Sequence, residues 1–312
     1  MTVISATAGI TALGVIAVTA AHTPGAENAA RSASVTTPMK VDGWGRGGYP
    51  MVTTAGNGAG PAVNGTANAA QTSVNWSGYA DTGKPGQFTS VSTSWTQPAV
   101  TCGATNTSSS FWAGLDGDGT NTVEQTGTEA DCANGTATYA GWWEMFPNAP
   151  VFYNNPVQPG DSMTASVKSD GNGNFTLTLS DTSQGWSQST QQANANAQLG
   201  SAEVIAEAPS NGSVLPLSNF GTVTFGSNTV NGAAIGNSGA APLTMVSQNG
   251  VTEATPSALA GGNSFTVTWD NDGVTGTGAG AGATTPAATA TAPAATGSTP
   301  AAAAPASTSP SP

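Results

Sequence analysis

The stretch Phe175-Thr176-Leu177-Thr178-Leu179 decides the fold prediction, because apolar residues and threonines alternate in it without interruption. Such a period of two places every second side chain on the same face of an extended strand. Similar short runs, rich in Val, Thr, Phe and Trp and bounded by Gly, Asn, Asp and Ser, occupy residues 74–80, 88–96, 109–115, 136–145, 162–167, 221–225 and 265–269. Long amphipathic helical patterns and strand–helix alternation are absent. The sequence therefore predicts an all-β protein, a sandwich of two antiparallel sheets.

Composition divides the chain into four regions. Residues 1–30 contain an apolar stretch at 11–21 that is too short to span a bilayer and is typical of a secretory signal, followed by an Ala-rich exit. Residues 31–70 hold three of the five cations and are predicted to be a propeptide or a linker. Residues 71–276 carry the strand pattern and form the predicted sandwich domain. Residues 277–312, an uncharged Ala/Thr/Pro/Gly tail, are predicted to be disordered.

The charge balance limits the possible partners. The 312 residues include 17 Asp and Glu but only 5 Lys and Arg, and no basic cluster occurs. Neither nucleic acid nor an anionic membrane is therefore an expected partner. After residue 70 only Lys84 and Lys168 are cationic, so little unbalanced positive charge accumulates when carboxylates are protonated. This composition suits a protein secreted into an acidic medium, although it also fits an ordinary acidic exported protein.

The rarity of histidine and cysteine excludes several catalytic types. His22 is the only histidine and lies in the predicted signal, so a Ser-His-Asp triad, a Cys-His dyad and an HExxH zinc site are excluded. Cys102 and Cys132 are too few for a cysteine-based metal site, and in an exported protein they predict one disulfide, worth about 3–4 kcal/mol. No metal and no cofactor are expected. Any catalytic chemistry must therefore come from carboxylates, amides, hydroxyls and aromatic rings.

Five segments of the sequence combine polar residues with aromatic residues in a strand-like pattern. They read NWSGY at 75–79, FWAGLDGDG at 111–119, VEQTGTE at 123–129, YAGWWEMFP at 139–147 and SAEVIAE at 201–207. In this order they resemble the glutamic peptidases, or eqolisins, and NFGTVTF at 219–225 resembles a further strand of that family. The resemblance spans about residues 74–269, nearly the whole central region.

The resemblance implies a concanavalin-like sandwich with a peptide-binding groove on its concave face, and a catalytic pair formed by Gln125 and Glu203. A Glu carboxylate can take a proton from an attacking water and return it to the departing amine. A Gln NH2 group can donate to the oxyanion without titrating. Such a secreted acid endopeptidase needs no histidine, and it functions in acid if Glu203 keeps an ordinary pKa near 4. Strand alternation places Glu207 on the same face as Glu203, where it is expected to tune the Glu203 pKa.

Further residues are predicted to line the groove and contact substrate: Trp76, Trp112, Asp116, Glu129, Trp142, Trp143, Glu144 and Glu207. Any single tryptophan could instead belong to the core. The resemblance implies that Trp112 and Asp116 touch substrate and that Glu144 is a second carboxylate near the pair. The chain departs from the family at Glu129, where Asp is usual, and at Val204, where the fungal type has Trp, which puts the substrate preference in doubt.

Two other functions compete with a peptidase. A glycoside hydrolase on the same architecture would use two carboxylates about 5–10 Å apart, such as Glu203 with Glu144 or Asp116. A non-catalytic, lectin-like domain would use the tryptophans to stack on sugar. The peptidase prediction, with protein or peptide substrates and a monomeric state, rests on the ordered motifs.

Overall fold

The computed structural model describes residues 70–274 together with the backbone of residues 52–53. The predicted signal (1–30), the tail (277–312) and most of the predicted propeptide or linker (31–70) lie outside the described residues. The strands are β1 Val52–Thr53, β2 Gln71–Ser73, β3 Trp76–Thr82, β4 Ser90–Thr96, β5 Thr107–Leu115, β6 Val123–Ala133, β7 Thr136–Phe146, β8 Val151–Phe152, β9 Ser162–Ser169, β10 Asn174–Asp181, β11 Trp186–Ala193, β12 Ser201–Glu207, β13 Thr222–Val230, β14 Ala233–Ala234, β15 Ala241–Val246, β16 Thr252–Pro256 and β17 Phe265–Trp269, with a short 3-10 helix at Ile235–Asn237. No helix in this part of the chain is long and apolar enough to cross a membrane.

Strand pairing builds two antiparallel layers. The first sheet has the order β8-β7-β6-β5-β12-β3-β15. The second has the order β11-β10-β9-β4-β13-β17-β16. Strand β15 also pairs with β16 and thereby joins the two sheets at one edge, where β2 lies parallel to β15 and β1 pairs with β2. The predicted all-β sandwich is confirmed.

The main core lies between the two sheets. Phe175, Leu177 and Leu179 of β10 are buried in it, while the threonines between them remain partly exposed. Phe111 of β5 and Val204 of β12 join the same core from the first sheet. Full burial of each such side chain contributes about 1.5–3 kcal/mol. The alternation that predicted the fold is therefore the alternation that fills its core.

Each strand-like run of the sequence overlaps a strand. Among the strands of five or more residues, the runs did not include β6, β11, β12, β15 and β16. Strand β6 reads VEQTGTEADCA, which has polar residues on both faces, so hydrophobic alternation cannot identify it. It is nevertheless almost entirely buried, because β5 and β7 pair with it on either side. Its neighbours, rather than its own hydrophobicity, make it a strand.

The predicted disulfide between Cys102 and Cys132 is confirmed, with the two Cα atoms 5.3 Å apart. It ties the segment before β5 to the end of β6. The bridge therefore closes the β5–β6 hairpin at the end away from the Asp116–Thr122 connection.

Candidate active site

One row of residues crosses the first sheet at the level of Gly114. Glu203 on β12 pairs with Gly114 on β5, and Gly114 pairs in turn with Gln125 on β6. Gln125 pairs with Glu144 on β7. Directly paired residues point to the same face of a sheet. Since Val204 faces the core, Glu203, Gln125 and Glu144 share the opposite, outer face.

Gly114 contributes no side chain between Glu203 and Gln125. Neighbouring strands lie about 4.8 Å apart, so the Cα atoms of these two residues are about 10 Å apart, with Gly114 between them. A Cβ atom on Gly114 would lie 2.9 Å from Cζ3 of Trp112 and 3.2 Å from Cβ of Gln125. The carboxyl group and the amide therefore flank a gap in the row of side chains, over which the Trp112 ring packs closely.

The amide of Gln125 has a fixed orientation. Its Nε2 donates to Oε2 of Glu144 over 2.7 Å, and the side chain is only 1% exposed. One N–H of the NH2 group is used in this bond, which leaves the second free to donate. The prediction that Glu144 lies next to the pair thus agrees with its contact with Gln125.

Glu203 is fully buried, and neither carboxyl oxygen has a hydrogen-bond partner of normal geometry among the described residues. Burial raises the Glu203 pKa well above its usual value, because a charged carboxylate loses its hydration. The Ser201 hydroxyl opposes this shift, whereas the charges of Asp118 and Asp116 reinforce it. The condition of an ordinary Glu203 pKa is therefore not met in this structure.

Asp116 holds the chain that enters β12. Its Oδ2 accepts the N–H groups of Gln198 and Leu199, and its Oδ1 accepts that of Gly200, each over 2.8 Å. The residue is fully buried and has a φ of 63°, a left-handed conformation that Asp tolerates better than most residues. Because three backbone donors occupy its carboxylate, the geometry supports a structural role and gives no support to the predicted contact with substrate.

Three of the predicted groove tryptophans lie on the outer face. Trp76, Trp112 and Trp142 belong to one buried apolar cluster with Ile205, and the rings of Trp76 and Trp112 meet edge to face with centroids 4.8 Å apart. Within the described residues, the buried indole N–H groups of Trp76 and Trp142 have no acceptor. The cluster thus forms an apolar wall beside the Gly114 row, with two unused donors.

Trp143 does not join this wall. It packs against the core between the sheets, on the face opposite to Trp142. Successive residues of a strand point to opposite faces, so a Trp-Trp pair cannot place both rings on one side. The prediction that Trp143 lines the groove is therefore wrong.

A second row crosses the sheet at Ser110, which pairs with Glu207 on β12 and with Glu129 on β6. Oε2 of Glu207 accepts the indole N–H of Trp112 over 2.7 Å, and Oε1 accepts Nδ2 of Asn75 over 3.2 Å. Glu207 therefore shares a face with the catalytic candidate, as predicted. The charges of Asp118 and Asp116, on the loop after β5, also raise the Glu203 pKa.

Glu129 lies at the acidic end of this face. Burial, and then the charge of Asp131, raise the Glu129 pKa well above its usual value. Burial also raises the pKa of Asp131 to about 6, although the Ser108 hydroxyl donates to its Oδ1. Glu129, which was predicted to line the groove, is therefore one of two neighbouring buried carboxyl groups.

Sequence reasoning missed the contributions of Gly114, Asp118, Ser201 and Asn75. All four lie within the quoted segments, the first two in FWAGLDGDG, so the segments were found but these residues were not distinguished. Nothing local to the sequence shows that Gly114 separates two functional side chains. Only the pairing of β5 with β12 and β6 reveals it.

Residues 74–269 match the model of the Peptidase A4 family. Scytalido-glutamic peptidase, solved with a transition state analog inhibitor, is similar at a TM-score of 0.56 and 22% identity, covering 63% of this chain and 98% of that one. SCP-B, an eqolisin family member solved with the tripeptide Ala-Ile-His, is similar at a TM-score of 0.51 and 23% identity, with the same two coverages. Both similarities support the fold. No curated protein matches the chain.

Proposed function

Because the chain belongs to the Peptidase A4 family and is a glutamic-type peptidase, we propose that it hydrolyses peptide bonds with Glu203 and Gln125 as its catalytic pair. One observation carries the proposal: the two side chains share a face and flank the gap over Gly114. A carboxyl group and an amide NH2 on opposite sides of a scissile carbonyl are the groups that amide hydrolysis requires.

The reaction follows from these groups. The Glu203 carboxylate takes a proton from a water molecule, whose oxygen attacks the carbonyl carbon. The carbonyl electron pair moves onto oxygen, and the second N–H of Gln125 donates to that oxyanion. Glu203 then gives the proton to the amide nitrogen as the C–N bond breaks, which releases a carboxylic acid and an amine. Glu144 keeps the donor in place throughout by accepting the other N–H.

Burial controls when Glu203 can act as a base. Glu203 has no exposed surface, and this burial raises its pKa and so favours the protonated carboxyl group. Opening the site readmits water, and the pKa of a carboxyl group falls when it is rehydrated.

A glycoside hydrolase is a weaker interpretation of the same residues. Sugar hydrolysis uses two carboxyl groups on either side of the bond. The residue that faces Glu203 across Gly114 is the amide of Gln125, which cannot ionise. A lectin-like function would not explain the gap at Gly114 or the fixed orientation of the Gln125 amide.

The wider proposal is an enzyme secreted into an acidic medium, acting as a monomer on proteins or peptides and binding neither nucleic acid nor membranes. The excess of carboxylates over cations supports it. The proposed signal (1–30) and the proposed propeptide or linker (31–70) precede the catalytic domain.

Cleavage of casein and of polysaccharides by the full chain at pH 3–5 tests the proposal. We expect casein cleavage only, reduced by about 10³-fold in Glu203→Gln and by about 10²-fold or more in Gln125→Ala. Asp270→Asn removes an exposed carboxylate elsewhere and serves as the control. Acid proteolysis that survives both site substitutions would refute the pair, and polysaccharide cleavage would favour the glycosidase.

A further inference from the structure

Asp118 lies on the loop after β5, and its backbone is fixed next to Glu203. Its N–H donates to Oγ of Ser201 over 3.2 Å. Ser201 is fully buried and begins β12, two residues before Glu203, so the two side chains share the outer face. The loop that carries Asp118 is thus anchored to the strand that carries Glu203.

Asp118 and Glu203 both have buried carboxyl oxygens without hydrogen-bond partners, and the charge of Asp118 acts on Glu203. Oδ2 of Asp118 is buried without a hydrogen-bond partner in the described part of the chain, and the same is true of both Glu203 oxygens. Burial raises the Asp118 pKa as well. Two carboxyl groups in such a site do not readily ionise together, so an ionised neighbour makes the other retain its proton.

The other charged groups near Glu203 are less well placed than Asp118 to act on its carboxyl group. Asp116 also acts on Glu203, but three backbone N–H groups already bind its carboxylate. On β3 the residue paired with Glu203 is Ala80, and on the other side Gln125 stands between Glu203 and Glu144. The cations of the described chain, Lys84 and Lys168, are both exposed.

We propose that Asp118 is a positioning residue for the reaction proposed above, on which this inference rests: its negative charge sets the pH range in which Glu203 is a base. Asp118 does this through Glu203 and without touching substrate. While Asp118 is ionised, Glu203 keeps its proton to a higher pH, which also favours proton return to the departing amine. Ser201 maintains the arrangement by holding the loop.

A pH profile of kcat/KM between pH 2 and 8 tests this role with Asp118→Asn and a second neutral variant, Asp118→Ser. Removing the neighbouring charge is expected to move the acidic limb of the profile down by about one pH unit. The maximal kcat/KM should change only a few-fold. Asp270→Asn removes an exposed carboxylate and should leave the profile in place. Two folded Asp118 variants with an unmoved acidic limb would overturn the inference.

A second readout separates this inference from the proposed function. In protein labelled with ¹³C at glutamate carboxyl groups, the Glu203 resonance is identified by its loss in Glu203→Gln, and its titration is followed with and without Asp118→Asn. A lower midpoint in Asp118→Asn supports the inference, and an unchanged midpoint contradicts it. If Glu203→Gln keeps its activity, the proposed function fails, while the titration still decides whether Asp118 controls the ionisation of Glu203.

Discussion

Among single residues, Glu144 determines what Gln125 can do. An amide side chain can present either its NH2 group or its oxygen, and only the former stabilises an oxyanion. The 2.7 Å bond from Nε2 of Gln125 to Glu144 selects the orientation, since a carboxylate oxygen accepts and cannot donate. The buried position of both side chains prevents water from competing for this bond.

Replacing Glu144 by Gln removes that selection, because an amide at 144 can donate to Oε1 of Gln125 and favour the reversed orientation. We expect kcat to fall by about 10- to 100-fold with little change in KM, since the oxyanion contact exists mainly in the transition state. Steady-state kinetics on a peptide substrate measure both constants. An unaltered kcat would show that Glu144 does not orient the amide.

Among the strands, β5 separates the two halves of the proposed catalytic pair. It lies between β12 and β6, and its Phe111, Ala113 and Leu115 fill the core while Trp112 and Gly114 face outward. One strand therefore supplies core packing, an apolar wall and the gap over which Glu203 and Gln125 face each other. On its outer face, a larger side chain at position 114 would clash with the Trp112 ring, which is the nearest neighbour.

Gly114→Ala should therefore impair catalysis more than folding. The added methyl group enters the gap and displaces the ring of Trp112 or the side chain of Gln125, and a misplacement of about 1 Å can reduce a rate by about 10²-fold. We expect kcat/KM to fall by about 10- to 100-fold while thermal unfolding stays cooperative. Gly103→Ala is the control, because a Cβ atom there meets nothing within 4 Å. Equal activities in the two variants would contradict the role of the gap.

For the molecule as a whole, buried carboxyl groups link stability to acid. Burial is the main cause that raises the pKa of Glu124 to about 8, of Glu253 to about 7 and of Asp131 to about 6. In the unfolded chain these groups ionise near pH 4. Between pH 4 and 8 the folded state therefore binds more protons than the unfolded state, and the free energy of unfolding falls as the pH rises.

The melting temperature should consequently be highest near pH 3–4 and fall by more than about 5 °C by pH 8. Glu124→Gln should flatten this dependence, because a glutamine stays neutral and can still accept the Asn194 amide donor that Glu124 accepts over 2.7 Å. Asp270→Asn, which changes an exposed group, should leave the slope unchanged. Thermal denaturation followed by circular dichroism measures the slope, and stability that rises toward neutral pH would contradict this account.

The sequence by itself determined the fold class, the disulfide and the exclusion of histidine chemistry, because alternation, cysteine number and composition are local properties that need no contact map. Its ordered motifs also selected Glu203 and Gln125 as candidates. Hydrophobic alternation alone could not identify β6 as a strand, since its polar residues are buried by neighbouring strands rather than by their own hydrophobicity.

Only the tertiary structure decided how the candidates meet. Strand register, a long-range property, places Gly114 between Glu203 and Gln125 and turns Trp143 toward the core. Loop packing brings Asp118 to Glu203, although 85 positions separate them along the chain. The raised Glu203 pKa likewise depends on burial, which is created by segments distant in sequence. Residue types thus follow from the sequence, whereas their faces, neighbours and hydration follow from the fold.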